Sequence, residues 1–205
     1  MIKNIVFDMG NVLLNYDADR VCRQFMSDKS ERKEVSMAVF ASQEWLMLDM
    51  GIIPEEEALR RMQSRLDTDR KKEMARLCLA HWHEYNMWPV EGMADVVKNL
   101  KETGYGIYLC SNASLRLLTC YQQIPGIEYF DGILFSAEVK CIKPQKEMYH
   151  HLFERFGLKP EECFFIDDMM QNIEGARACG MEGWCFKDKD VEKLKEVLSY
   201  LNQKQ

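Results

Sequence analysis

The sequence predicts an α/β protein: a five-stranded parallel sheet of the doubly wound kind, with a block of helices inserted after the first strand. Three observations carry this. A strand-like run ending on an acid, "IKNIVFD", fills residues 2–8. Residues 16–88 show helical periodicity almost throughout and no convincing strand. From residue 89 onward, short apolar runs alternate with amphipathic helices.

Each element has its own signal. In the inserted block, "DADRVCRQFM" sets Val21, Cys22, Phe25 and Met26 on one helix face. "PEEEALRRMQSRL" places Pro54 in a first-turn position with acids behind it, where they suit the positive end of a helix. Ala58, Leu59, Met62 and Leu66 then recur at helical spacing, and "DRKKEMARLCLAHWHEY" continues the pattern. Further on, "MADVVKNLKETG" is a helix closed by Gly104. "YGIYLCS" (105–111) is a strand, "SLRLLTCYQQ" a helix and "GILFS" (132–136) a strand. "PQKEMYHHLFERFG" is a helix closed by Gly157, and "ECFFIDD" (162–168) a strand ending on two acids. "NIEGARACG" is a helix, "EGWCF" (182–186) a strand and "DVEKLKEVLSYL" the closing helix. The division that follows is an α/β core of residues 1–15 and 89–205 and a helical cap of residues 16–88. Two sequential domains would leave the first strand without partners.

At 205 residues the chain can bury one large core and carry a modest insertion. A net charge of −6 and a pI near 5.4 speak against nucleic acid or an anionic membrane as partner, since both select basic surfaces. No apolar run reaches the ~20 residues that span a bilayer. The N-terminus lacks the basic-then-apolar pattern of a signal peptide, so a cytoplasmic location is expected. Eight cysteines, none in a CxxC pair, read as reduced core thiols. The chain is expected to work as a monomer or a homodimer.

In doubly wound sheets ligands bind at the carboxyl ends of the strands. Those ends carry Asp8, then Ser111-Asn112, then Lys143 ahead of Pro144, then Asp167-Asp168. Singly, each residue reads as a turn former, a helix cap or a solvated charge. As a set, one polar group per strand end, they make chemical sense. Adjacent carboxylates repel and stay together more easily around a cation, and an oxygen-rich cluster suits Mg²⁺. Ser111 and backbone N–H groups could bind phosphate oxygens, Lys143 could neutralise charge, and Asp8 could attack phosphorus.

The motifs "FDMGNVL", "LCSN", "KP" and "IDDMMQNIEGA" resemble the four motifs of the haloacid dehalogenase-like hydrolase superfamily, and the resemblance spans essentially the whole chain. It implies a Rossmann-like sheet ordered 3-2-1-4-5 by sequence position, with a helical cap after the first strand. It implies Asp8 as nucleophile and metal ligand, the backbone carbonyl of Gly10 as a second ligand, and Ser111 as the phosphate-binding hydroxyl. Lys143 becomes the charge-stabilising lysine, Asp168 a direct ligand of Mg²⁺ and Asp167 a water-mediated one. Substrate contacts are expected from Gly10, Asn112, Arg20, Trp45 and the "QEWLMLDMG" stretch (43–51). Asn172 would orient Lys143 or the metal shell, or simply lie on the helix surface.

One position departs from the family pattern. Most phosphatases of the superfamily carry a second Asp two residues after the nucleophile, where this chain has Gly10. That acid protonates the leaving group, and general acid catalysis typically supplies ~10²–10⁴-fold. Three readings compete. A phosphatase of small phosphorylated metabolites, such as sugar phosphates including glucose 1-phosphate, would use an easier leaving group or a substitute acid. A 2-haloacid dehalogenase needs no such acid but leaves the Asp167-Asp168 pair without purpose. A non-catalytic phosphate- or nucleotide-binding protein would not need to retain Asp8, Ser111, Lys143 and Asp168 together. Without a substitute acid, rates should fall steeply as leaving-group pKa rises; a flat dependence would mark one.

Overall fold

Strand β1 (Asn4–Phe7) is apolar on both faces because it is the middle strand of the sheet. Ile5 and Phe7 point into one apolar cluster and Val6 into another, as the two-residue alternation of a strand requires. In the computed structural model, which describes residues 1–203, β4 (Gly106–Ser111) and β6 (Cys163–Asp167) flank β1. Outside them lie β5 (Gly132–Phe135) and β7 (Glu182–Cys185). Every neighbouring pair in this sheet is parallel. The order β5-β4-β1-β6-β7 is the expected 3-2-1-4-5, with β1 at the point where chain order reverses.

Helices cover both faces. The apolar sides of α6 (Met93–Glu102) and α11 (Val191–Gln203) join the cluster of Ile5 and Phe7 through residues such as Val97 and Leu194. Those of α9 (Lys146–Phe156) and α10 (Met170–Ala178) join the cluster of Val6 through Tyr149 and Ile173. Gly175 on α10 lies against Pro144, whose carbonyl oxygen would lie 2.8 Å from an added Cβ.

Between β1 and α6 run five helices: α1 (Asp19–Phe25), α2 (Lys29–Phe40), α3 (Gln43–Asp49), α4 (Glu55–Gln63) and α5 (Asp69–Tyr85). Asp28, Ser42 and Thr68 cap α2, α3 and α5 by accepting from the N–H three residues on. The helix α5 packs against α1, α2 and α4, and its buried Ala75 and Cys78 belong to the same apolar cluster as Ile5 and Phe7.

The sequence differs from the structure in two places here. Strand β2 (Leu14–Tyr16) pairs antiparallel with β3 (Met87–Pro89), so the inserted helices enter and leave through a two-stranded ribbon. Three-residue strands are too short to show a period of two, and none was expected. "SLRLLTCYQQ" forms only the short α7 (Leu117–Cys120) followed by one 3₁₀ turn (Tyr121–Gln123). The segment ahead of α7 is held by three-residue turns, Leu117 N–H to Ser114 and Leu118 N–H to Leu115, rather than a continuous helical ladder. Among the described residues no helix is long and apolar enough to cross a membrane.

Candidate active site

Asp8 follows β1 directly and its N–H donates to the carbonyl of Ile166 on β6 (2.9 Å), which sets the acid at the sheet's switch point. Its carboxylate accepts from the N–H of Met9 (2.7 Å) as the chain turns back. Asn11 takes a left-handed conformation (φ 58°) in that turn, one that asparagine tolerates better than most residues. Ser111 ends β4, Asp167 ends β6 and Asp168 follows it. Lys143 arrives on the loop after the short helix α8 (Ser136–Val139). That loop is fastened to the end of β4 by Asn112, whose amide accepts from the Lys143 N–H (2.8 Å) and donates to its carbonyl (3.1 Å).

Lys143 is only 2% exposed, and its ammonium sits 2.8 Å from Asp8 Oδ1 and 2.7 Å from Asp167 Oδ2. Burial alone would lower its pKa, but the two carboxylates hold the ammonium charged and push its pKa up. Asp167 is fully buried and further accepts from the side-chain amide of Asn172 (2.9 and 3.0 Å) and the N–H of Met169 (2.8 Å). Asn172 therefore acts on Asp167, and on Lys143 only through it. Burial raises the Asp8 carboxyl to about 6 against the pull of Lys143. Burial, with Asp167 next door, also raises Asp168.

Ligand atoms of Asp8, Asp167 and Asp168 all lie within 4.8 Å of one another. Three carboxylates gather beside one buried ammonium, which pairs with Asp8 and Asp167 alone, so the cluster lacks positive charge. An all-oxygen set with that deficit fits a hard divalent cation such as Mg²⁺.

Above the cluster opens a cavity of about 360 Å³. Of the residues expected in the site, Asp8, Gly10, Ser111, Asn112, Trp45, Lys143 and Asp168 line it. Asp167 lies beneath, holding Lys143. Arg20 does not reach the cavity: it lies on α1 with its guanidinium 4.2 Å from the ring centre of Trp88 on β3, a cation–π contact that directs it to the ribbon instead. The other wall comes from the inserted segment. There Trp45 and Trp82 pack edge to face, ring centres 5.1 Å apart, beside Tyr16, Met87 and Asp49. Asp49 and Tyr16 were not singled out from sequence. Asp49 lies within the "QEWLMLDMG" stretch, where an acid directly after the apolar Trp45, Leu46, Met47 and Leu48 is the available signal.

The parallel sheet thus presents an acid, a hydroxyl, a lysine and an acid pair at one edge, the polar set of a hydrolase. The family model of haloacid dehalogenase-like hydrolases matches residues 2–180, and the chain belongs to that family. It is 24% identical to a sesquiterpene phosphatase of Aspergillus oryzae, over 91% of this chain and 90% of the relative. It is equally 24% identical to a D-ribitol-5-phosphate phosphatase of Bacteroides thetaiotaomicron, over 89% and 90%. A Bacteroides thetaiotaomicron enzyme of the family, crystallised with magnesium and inorganic phosphate, superposes with a TM-score of 0.68 at 25% identity, covering 90% of this chain and 94% of that one.

Proposed function

We propose that this hydrolase is a Mg²⁺-dependent phosphatase of small phosphorylated metabolites, sugar phosphates among them, acting through an aspartyl-phosphate on Asp8. The observation that carries this reading is the buried Asp8–Lys143–Asp167 array beside Asp168, open to a cavity that Ser111 also lines. The named activities of the Aspergillus and Bacteroides relatives, both phosphatases, support it.

Asp8, Asp168 and the carbonyl of Gly10 would hold the metal, with Asp167 acting through water. When bound, Mg²⁺ neutralises phosphoryl charge and offsets the repulsion between Asp8 and the incoming anion. Asp8 attacks phosphorus with the oxygen not engaged by Lys143. Ser111 donates its hydroxyl to a phosphoryl oxygen, and Lys143 steadies the charge that moves onto the equatorial oxygens. The aromatic wall of Trp45 and Trp82 covers the leaving group's carbon skeleton. In this role residues 16–88 act as a cap, excluding water from the transfer step.

The dehalogenase alternative leaves the carboxylate cluster as an uncompensated electrostatic cost, because halide departs without proton or cation. The test is phosphate release across sugar phosphates, glucose 1-phosphate, ribitol 5-phosphate and an aryl phosphate, with Mg²⁺ and with EDTA. Mg²⁺-dependent release from at least one is expected. No release from any, or EDTA-resistant turnover of 2-chloropropionate, overturns the reading. Mg²⁺ plus phosphate raising the Tm without any turnover would mark a binding protein.

A further inference from the structure

The reaction needs a proton donor, and the glycine at position 10 cannot be one. The ionisable groups lining the cavity are Asp8, Tyr16, Asp49, Lys143 and Asp168. Asp8 is the nucleophile, Lys143 is locked between two carboxylates, and Asp168 belongs to the metal cluster. The Tyr16 phenol is held far above neutrality, first by burial. Resting on the phosphatase reading, we propose that Asp49, carried by the last residue of α3 into the cavity that holds Asp8 and Ser111, is the general acid and base of the reaction.

The position of Asp49 is fixed from the sheet side. Its carboxylate accepts from the N–H of Ser114, three residues after Ser111. Its backbone carbonyl accepts from the hydroxyl of Ser136, and that same hydroxyl accepts from the N–H of Ala113 (2.9 Å). Two residues on, Gly51 adopts φ +65° against the backbone of Ala137, where any Cβ would collide with the Ala137 carbonyl. These contacts tie Asp49 to the segments that follow β4 and β5, and β4 itself ends on Ser111, the residue placed to bind phosphate. Among the described residues Asp49 makes no ion pair, so no cation holds it ionised. Burial lifts its carboxyl to about 7, with the Ser114 N–H pulling the other way, which leaves a proton available near neutral pH. The space beside Gly10 is open, with nothing within 4 Å of where a Cβ there would sit.

In the first half-reaction the bond between phosphorus and the leaving oxygen breaks as Asp8 bonds to phosphorus. The Asp49 proton passes to that oxygen, and the alcohol departs. In the second, the Asp49 carboxylate takes a proton from the water that attacks phosphorus. The Asp8–phosphorus bond breaks, inorganic phosphate leaves, and both residues return to their starting state.

The experiment compares wild type, Asp49→Asn and Asp8→Asn, with Mg²⁺, on ribitol 5-phosphate and 4-nitrophenyl phosphate. The readout is kcat/KM, which covers steps up to departure of the leaving group. Asp49→Asn should lose ~10²–10⁴-fold on the alkyl phosphate and at least about tenfold less on the aryl phosphate, whose phenolate leaves more readily without a proton. Asp8→Asn should lose both. Equal losses on the two substrates, or no loss on the alkyl phosphate, overturn the assignment while leaving the phosphatase reading intact. A wild type inactive on both overturns both. Asp49→Ala carries the same comparison if the Asn variant unfolds.

Discussion

Replacing Asp49 by asparagine should stabilise the protein above neutral pH even as it slows turnover. The carboxyl titrates at 3.8 in the unfolded chain and at about 7 in the fold, because burial disfavours its charged form. Between those values the folded protein holds a proton that the unfolded chain has released. Stability therefore falls as pH rises from about 4 to about 7 and is level above that. A shift of about 3 units sets a ceiling of about 4 kcal/mol at 1.36 kcal/mol per unit. The residue faces an open cavity, and solvent screening reduces the cost to about 2 kcal/mol. For a chain of 205 residues, at ~2–4 °C per kcal/mol, the Asn variant should melt about 4–8 °C above wild type at pH 8. Calorimetry of both proteins without Mg²⁺, from pH 4.5 to 8, measures this. The gap should narrow steadily toward the acid end. An Asn variant less stable than wild type at pH 8, or a gap independent of pH, would refute the claim that Asp49 is a desolvated acid kept for chemistry.

Two further predictions follow from the site. Lys143→Met leaves Asp8 and Asp167 buried and facing each other, so urea denaturation without Mg²⁺ should show a loss of about 3–5 kcal/mol, partly restored by adding Mg²⁺. Gly10→Asp in the Asp49→Asn background restores an acid at a position where its Cβ has open space, and kcat/KM on ribitol 5-phosphate should recover at least about tenfold.

The sheet and its acids were legible because they depend on local pattern. An apolar run buried on both faces, such as residues 5–7, announces a central strand, and the strand-end rule then places Asp8, Ser111 and Asp167. What stayed hidden depends on contacts between distant residues. Asp49 gains its character from Ser114, Ser136 and Ala137, between 65 and 88 positions away in the chain. The ribbon of β2 and β3 has three residues per strand, below the length at which alternation can be read. Arg20 carries its charge early in the inserted segment, but the direction it takes from α1 is set by Trp88, more than sixty residues on.

In the proposed reaction Asp8 carries the phosphoryl group. Acid quenching during turnover of a ³²P-labelled sugar phosphate that the protein hydrolyses, followed by peptide mapping, tests it most directly. Acid-stable, base-labile label is expected on the peptide containing Asp8, and none in Asp8→Asn. Phosphate release without protein-bound label, or an Asp8→Asn variant turning over at the wild-type rate, would contradict it.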